Sequence, residues 1–242
     1  MIYQTFRPDT IKIFRAFTES LIFPIDIRFQ VINGDGTITL HVCQLLHAQP
    51  NFKVTIGGND YSIEEIDDDA NTITVKGNQP ITVTSFELYK PYFFYGSPIQ
   101  TGEELTKESE VNIPHVPMVY FNPDKDKDQN NASPTSKLVN GDLYFLTKSN
   151  TLQWLNEQTY IEGVRPMRRL QQYFVDQMIE KGVSLFDIIP AGKSFSVDDY
   201  PKFGVYVREK GVSQNKWSDQ LSGCGFPLED LGIWDDGKCH DC

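Results

Sequence analysis

Cations, cysteines and long apolar runs are all scarce in this chain, and each shortage removes a class of function. Lys and Arg number 22 against 33 Asp and Glu, so the 242 residues carry a net charge of −11. That sign opposes wrapping nucleic acid, whose affinity rests on neutralised phosphates, and implies a surface kept apart by like charge. The four cysteines, Cys43, Cys224, Cys239 and Cys242, are too few for a disulfide framework, and synthesis in a reducing compartment is expected. No apolar run approaches the ~20 residues that cross a bilayer. The opening MIYQTFRPDTIKIFRAF is interrupted early by charge and holds no apolar core of signal-peptide length. Apolar side chains are not short overall: at 39% hydrophobic and 12% aromatic, the chain can bury a substantial core as one domain or two.

That core is best seen in residues 141–182. Leu143, Tyr144, Phe145 and Leu146 form a short apolar run between Gly141 and Ser149, which predicts a buried strand. Asn150 or Thr151 offers a side-chain oxygen to cap a following helix. Tyr160, Val164, Met167, Leu170, Phe174 and Met178 then recur at steps of three and four, the period of one helix face. Pro166 cannot donate to a continuous ladder, so the reading is a short lead-in helix and a main helix starting at Pro166, stopped at Gly182.

The flanks supply the rest of the fold. Pro8 and Asp9 open a helix with Ile11, Phe14, Phe17 and Leu21 on one side, ended by Pro24. Between residues 25 and 89 the period changes to two: IDIRFQVI, TITLHV, FKVTI, YSIEEI, TITVK and ITVTSFELY alternate, separated by the turns NGDG, GGND and DDDAN. Six short strands at near-regular spacing predict a small closed or nearly closed β-barrel, able to fold as an inserted module. Next come the aromatic PYFFY, an exposed connector, a strand at 116–121 and a long polar loop at 123–137. After the main helix the reading continues with LFDIIP, a loop over 191–200, a strand at 203–208 and a last strand or two within 217–234.

Candidate chemistry is thin. AGKS at 191–194 has the end of a phosphate-binding loop, yet Asp187 stands where its leading glycine is required. Asp124, Asp126 and Asp128 alternate as calcium-loop ligands do, but Gln129 and Thr135 replace the glycine and glutamate that such a loop needs, leaving a solvated loop. Asp67, Asp68 and Asp69 fall at a hairpin turn, where Asp bonds its own backbone. Cys224 with Cys239, His240 and Cys242 contains one CxxC pair, half of a zinc signal. His41, His47, His115 and His240 are scattered, with a structural histidine the ordinary reading for His41. Arg165, Arg168 and Arg169 form the one basic cluster, which on a helix in an acidic chain predicts salt bridges within or between subunits. No catalytic, cofactor-binding or metal-binding residue is assigned, and no enzyme activity is expected.

The order of segments nevertheless resembles a known group. An aromatic FFYGSP stretch, a polar linker, the PMVYF strand, an acidic loop, LYFLTK, WLNEQTY, VRPMRRLQQYF and WSDQLSGCGF follow one another as in the neck, tail-completion and tail-terminator proteins of tailed bacteriophages, especially crAss-like phages of gut Bacteroidota. The resemblance covers most of the chain outside residues 25–89 and is one of pattern, without a diagnostic motif. It implies an α+β fold: a mixed sheet flanked by the N-terminal helix and the long central helix, in a ring-forming domain of residues 1–24 plus 91–242. The small antiparallel β-barrel of residues 25–90 is inserted into it, a departure from short tail terminators. It further implies a non-enzymatic structural virion protein in the neck or tail, assembled in the bacterial host cytoplasm as a ring of six or twelve copies. The partners would be copies of itself and adjacent portal, adaptor or tail proteins, with no membrane. DNA would pass through the lumen without specific binding, along an acidic wall that prevents sticking. A rival expectation is a tail-associated binding module whose barrel recognises a host surface or glycan, with PYFFY and Trp217 as stacking platforms.

Overall fold

The computed structural model describes residues 10–96, 116–123, 136–149, 156–181, 186–187, 196–203, 205–207, 213–215 and 221–234. The chain is mixed α+β, mostly strands. Helix α1 (Thr10–Ser20) buries Phe14 and Phe17, and Leu21 just beyond it. Near its end two hydroxyls bond back to the backbone: Thr18 donates to the Phe14 carbonyl and Ser20 to the Phe17 carbonyl, both at 2.7 Å, the second an acceptor the last turn would leave free. Pro24, expected as the terminator, instead opens β1 (Pro24–Ile32), a strand position where its missing donor is tolerated.

The alternating segments form one six-stranded sheet from β1, β2 (Thr37–Val42), β3 (Lys53–Ile56), β4 (Asn59–Asp67), β5 (Thr72–Lys76) and β6 (Ser85–Glu87). Its order is β3-β4-β5-β2-β1-β6, with every pairing antiparallel. The end strands β3 and β6 come near each other, so the sheet is a nearly closed barrel. Gly57 and Gly58, at φ +60° and +83°, make the two-residue turn between Ile56 and Asn59, a geometry that side chains with Cβ resist. One irregularity redirects β1. Ile27 pairs with Val42 and Phe29 with His41, so Arg28 is an extra residue that reverses the strand's facing. Phe29 and Val31 thereby project outwards, and the inward Gln30 bonds both the amide and the carbonyl of Ile81, at 2.9 and 2.7 Å.

The second sheet contains β7 (Tyr92–Tyr95), β8 (Met118–Pro123), β9 (Ser136–Lys148), β10 (Phe186–Asp187), β11 (Asp198–Phe203) and β14 (Leu221–Trp234). Two short strands, β12 (Val205–Val207) and β13 (Ser213–Asn215), pair with each other. The order β10-β14-β9-β8-β7 is mixed, β7 running parallel to β8 and the rest antiparallel. β11 lies alongside β14, so part of the expected loop at 191–200 is strand from Asp198, and residues 191–195 lie outside the described residues.

Alternation along β8 and β9 gives this sheet two apolar faces. One carries Phe121, Phe145 and Phe226 against the helices: Phe14 stacks on Phe121 at 5.2 Å, and Phe174 meets both Phe17 and Phe145 edge-on at 5.1 and 5.3 Å. The barrel interior is continuous with this core. The other face gathers Phe94, Met118, Tyr120, Leu146, Phe203 and Leu221.

The central helix has the expected short lead-in and a main helix, α2 (Arg165–Lys181), that starts one residue before Pro166, but the two are joined without a break: Asn156–Gln158 leads into a π-helical segment, Thr159–Val164, which runs on into α2. The wider π turn closes with the Arg165 amide bonding the Tyr160 carbonyl, and Pro166 follows where the ladder is already rearranged around its missing donor. The π turn also resets the face. Val164, Met167, Leu170, Phe174 and Met178 are buried as the period predicts, whereas Tyr160, four residues before Val164, is turned out to 41% exposure. The predicted cap at Asn150 or Thr151 and stop at Gly182 lie outside the described residues.

Candidate functional site

The three arginines divide between two sides of α2: Arg165 and Arg169, four residues apart, share one face, and Arg168 lies off it. Arg165 Nη1 donates to Asp68 Oδ2 at 2.9 Å, and Arg169 Nη1 bonds the other oxygen of the same carboxylate. Arg169 also reaches the carbonyls of Leu46 and Ala48, the second at 3.3 Å. Arg168 turns the other way, to Asp199 Oδ1 at 2.6 Å and the Val197 carbonyl at 3.3 Å. Hydrogen bonds to Asp68 and Asp199 hold Arg165 and Arg168 more firmly charged, while burial works against the charge on Arg169. All three therefore make salt bridges within the chain. The sequence pattern identified the cluster but not its partners. Asp68 looks like a turn acid, yet in the turn it is Asp67 that accepts the amides of Asp69 and Ala70, both at 2.9 Å.

What Arg169 grips is the connection between β2 and β3. Leu45, Leu46, His47, Ala48 and Gln49 are all buried, without any periodicity to announce it. The His47 ring is fully enclosed, with Nε2 2.8 Å from the Tyr89 carbonyl and Phe23 edge-on at 4.8 Å. A carbonyl only accepts, so Nε2 carries the proton and Nδ1, which has no partner among the described residues, is the bare nitrogen. Burial pushes the imidazole down to about 4, and the nearby Arg169 charge acts in the same direction. Two residues on, Gln49 Oε1 accepts the Thr147 hydroxyl of β9 at 2.8 Å. This connection thus joins the barrel, α2 and the second sheet.

Around it the polar residues are structural. The π turn is pressed so closely on β14 that a Cβ at Gly163 would collide with Ser222 Oγ. Tyr144 donates to Asp142 Oδ2 at 3.1 Å, and burial followed by the Asp142 charge raises its phenol well above the ordinary range, so it stays protonated. Cys224, deep in β14, is pushed up to about 12 by burial, an inert thiol. Its proposed zinc companions Cys239, His240 and Cys242 lie outside the described residues, as do Asp124, Asp126 and Asp128, residues 191–194, His115 and Trp217. Among the described residues no group of three or more His, Cys, Asp or Glu is placed to hold a metal ion, and no helix is long and apolar enough to cross a membrane.

The surface is more distinctive than the interior. Phe29 and Val31 stand 55% and 45% exposed on the outer face of the barrel, with Ile32 at 47% at the strand's end. His41, read as an ordinary structural histidine, is the surface partner of Phe29, their rings stacked at 3.9 Å. In PYFFY, the inner Phe93 and Phe94 are buried, while Tyr92 and Tyr95 remain exposed. Arg15 sits 5.5 Å over the Tyr95 ring. No family model, curated protein or solved structure matches the chain.

Proposed function

We propose that the chain is a non-enzymatic structural protein of a tailed bacteriophage, a subunit of a ring at the neck or tail around the DNA channel. The reading rests on the resemblance of segment order, and the observation that favours it is the apolar outer face of β1. Phe29 and Val31 are directed into solvent by a bulge that costs the strand its regular pairing, while the interior is filled without them. Large apolar side chains held on a rigid sheet suit burial between subunits. In this reading residues 1–24 plus 91–242 form the ring body with α1 and α2 flanking its sheet, and the barrel of residues 25–90 carries contacts to a neighbouring copy or an adjacent virion protein. The −11 charge per subunit suits a lumen through which DNA slides without adhering.

The test is assembly. Native mass measurement and negative-stain images of the purified chain, alone and co-expressed with its neighbouring structural genes, should show closed rings of six or twelve copies. A chain that stays monomeric in both settings, and is missing from purified virions, overturns the proposal. A second reading is favoured by one feature: the exposed Phe29 ring backed by His41 is the kind of aromatic wall on which a sugar face stacks. A glycan array giving signal that Phe29→Ala removes would select that reading over the ring contact.

A further inference from the structure

We propose that His47 is a proton-operated latch, which in its neutral form locks the barrel to α2 and the second sheet and which releases that junction when the ring takes up a proton. The geometry is a grip with the ring at its centre. Arg169 holds the carbonyls on either side of His47, those of Leu46 and Ala48, and so fixes the backbone that drives the imidazole inwards. Inside, Nε2 donates to the Tyr89 carbonyl and the ring edge packs on Phe23. Burial and the Arg169 charge both oppose a charged ring, and the Tyr89 carbonyl, which alone favours one, is outweighed by the burial. From α2 comes Arg169, already cationic. From the β6–β7 link comes a carbonyl that one N–H satisfies, and from the α1–β1 link an apolar ring. The nearest carboxylate in this network, Asp68 on the β4–β5 turn, is taken by Arg169 and Arg165.

A second proton must sit on Nδ1, which is buried and has no acceptor among the described residues. Burying an uncompensated charge there costs more than moving the ring into water. The way out is outward movement of the β2–β3 connection, which breaks the Arg169 grip and the Gln49–Thr147 bond together. The sign follows. The folded-state value is depressed, so the neutral lock is intact above the ordinary value of 6.5 and is lost as pH falls through the interval down to about 4. Over the whole titration the closed-to-open ratio should fall about 300-fold, the last of it below pH 4, with roughly thirty-fold already lost at pH 5.

The full chain tests this by two measurements. NMR titration of the His47 ring, assigned by comparison with His47→Gln, should show it unprotonated well below pH 6. Hydrogen exchange, corrected for intrinsic rates, should show residues 44–49 opening about thirty-fold more at pH 5 than at pH 8, while the β9 amides stay protected. His47→Gln, which keeps a neutral donor for the Tyr89 carbonyl, should abolish that pH dependence. Titration near 6.5 with residues 44–49 still protected overturns the latch. So does opening that persists in His47→Gln, or exposure of β9 in step with the loop, which would mean global unfolding. Should His47→Gln fail to fold, titration and exchange on the unaltered chain decide between the same outcomes.

Discussion

Replacing Gly163 by Ala puts the close approach of the π turn to β14 under direct test. Taken alone, the substitution should help, since Gly in a helix is about 1 kcal/mol less favourable than Ala. The neighbour reverses this. The new Cβ would collide with Ser222 Oγ and lie 3.1 Å from Ser222 Cβ, and Ser222 is fully buried on a strand paired along its length with β9. Rotating the hydroxyl away removes the first clash but not the second, so the π turn must lift, at a cost of about 2–3 kcal/mol typical of overpacking. The net expectation is a loss of roughly 1–2 kcal/mol. The decisive measurement is the cycle with Ser222→Gly, followed by urea denaturation. Once position 222 has no side chain, Gly163→Ala should become neutral or stabilising by up to about 1 kcal/mol, a coupling of roughly 2 kcal/mol between positions 59 residues apart in sequence. Additive effects, or a loss from Gly163→Ala that persists in the Ser222→Gly background, would refute the packing argument.

Other consequences are simpler. Asp68→Asn strands two guanidinium groups and should cost about 2 kcal/mol, less than the 3–5 of a fully buried pair because these side chains keep 20–39% exposure; Arg165→Ala, at the exposed end, should cost under about 1 kcal/mol. Alkylation of the native chain followed by peptide mapping should modify exposed Cys43 and spare Cys224 until the chain is unfolded, because burial keeps the latter protonated. Phe29→Ser should change stability by about 1 kcal/mol or less, the worth of its stack on His41, yet abolish ring formation, measured by native mass.

Local chemistry was legible and long-range chemistry was not. The six barrel strands follow from alternation and from turns such as Gly57-Gly58, signals that need only a few neighbouring residues. The buried face of α2 follows from its period, up to the point where the π turn changes the number of residues per turn and Tyr160 leaves the face. The β2–β3 connection, by contrast, reads as an ordinary loop. Its burial is imposed by Arg169 and Thr147, which lie 122 and 98 residues from His47 and Gln49 respectively. Asp68 was hidden by company: three consecutive acids suit a turn, and nothing in that run marks the one that α2 will claim. The parallel pairing of β7 with β8 is equally silent, because alternation gives the facing of a strand but not the direction of its neighbour.

The same long-range contacts bear on whether residues 25–90, read from sequence as an inserted barrel, can stand alone. A segment of that length is marginal even with a complete core. Its core is not complete in isolation, because the barrel interior runs on into residues from both helices and the second sheet. Expressed separately, it would lose Phe23 from one side of His47, Arg169 from the Leu46 and Ala48 carbonyls, and Thr147 from Gln49. Leu45 and Leu46, now 4% and 5% exposed, would have the α2 grip beside them removed. The fragment should therefore melt without a cooperative transition, or at least about 10 °C below the full chain, an expectation from losing roughly 2 kcal/mol or more in a small domain. Its His47 should titrate near 6.5, the ordinary value, once water reaches the ring. A fragment that unfolds cooperatively at the temperature of the full chain, with His47 still held near 4, would show instead that the barrel closes its own core and that the junction is only an attachment.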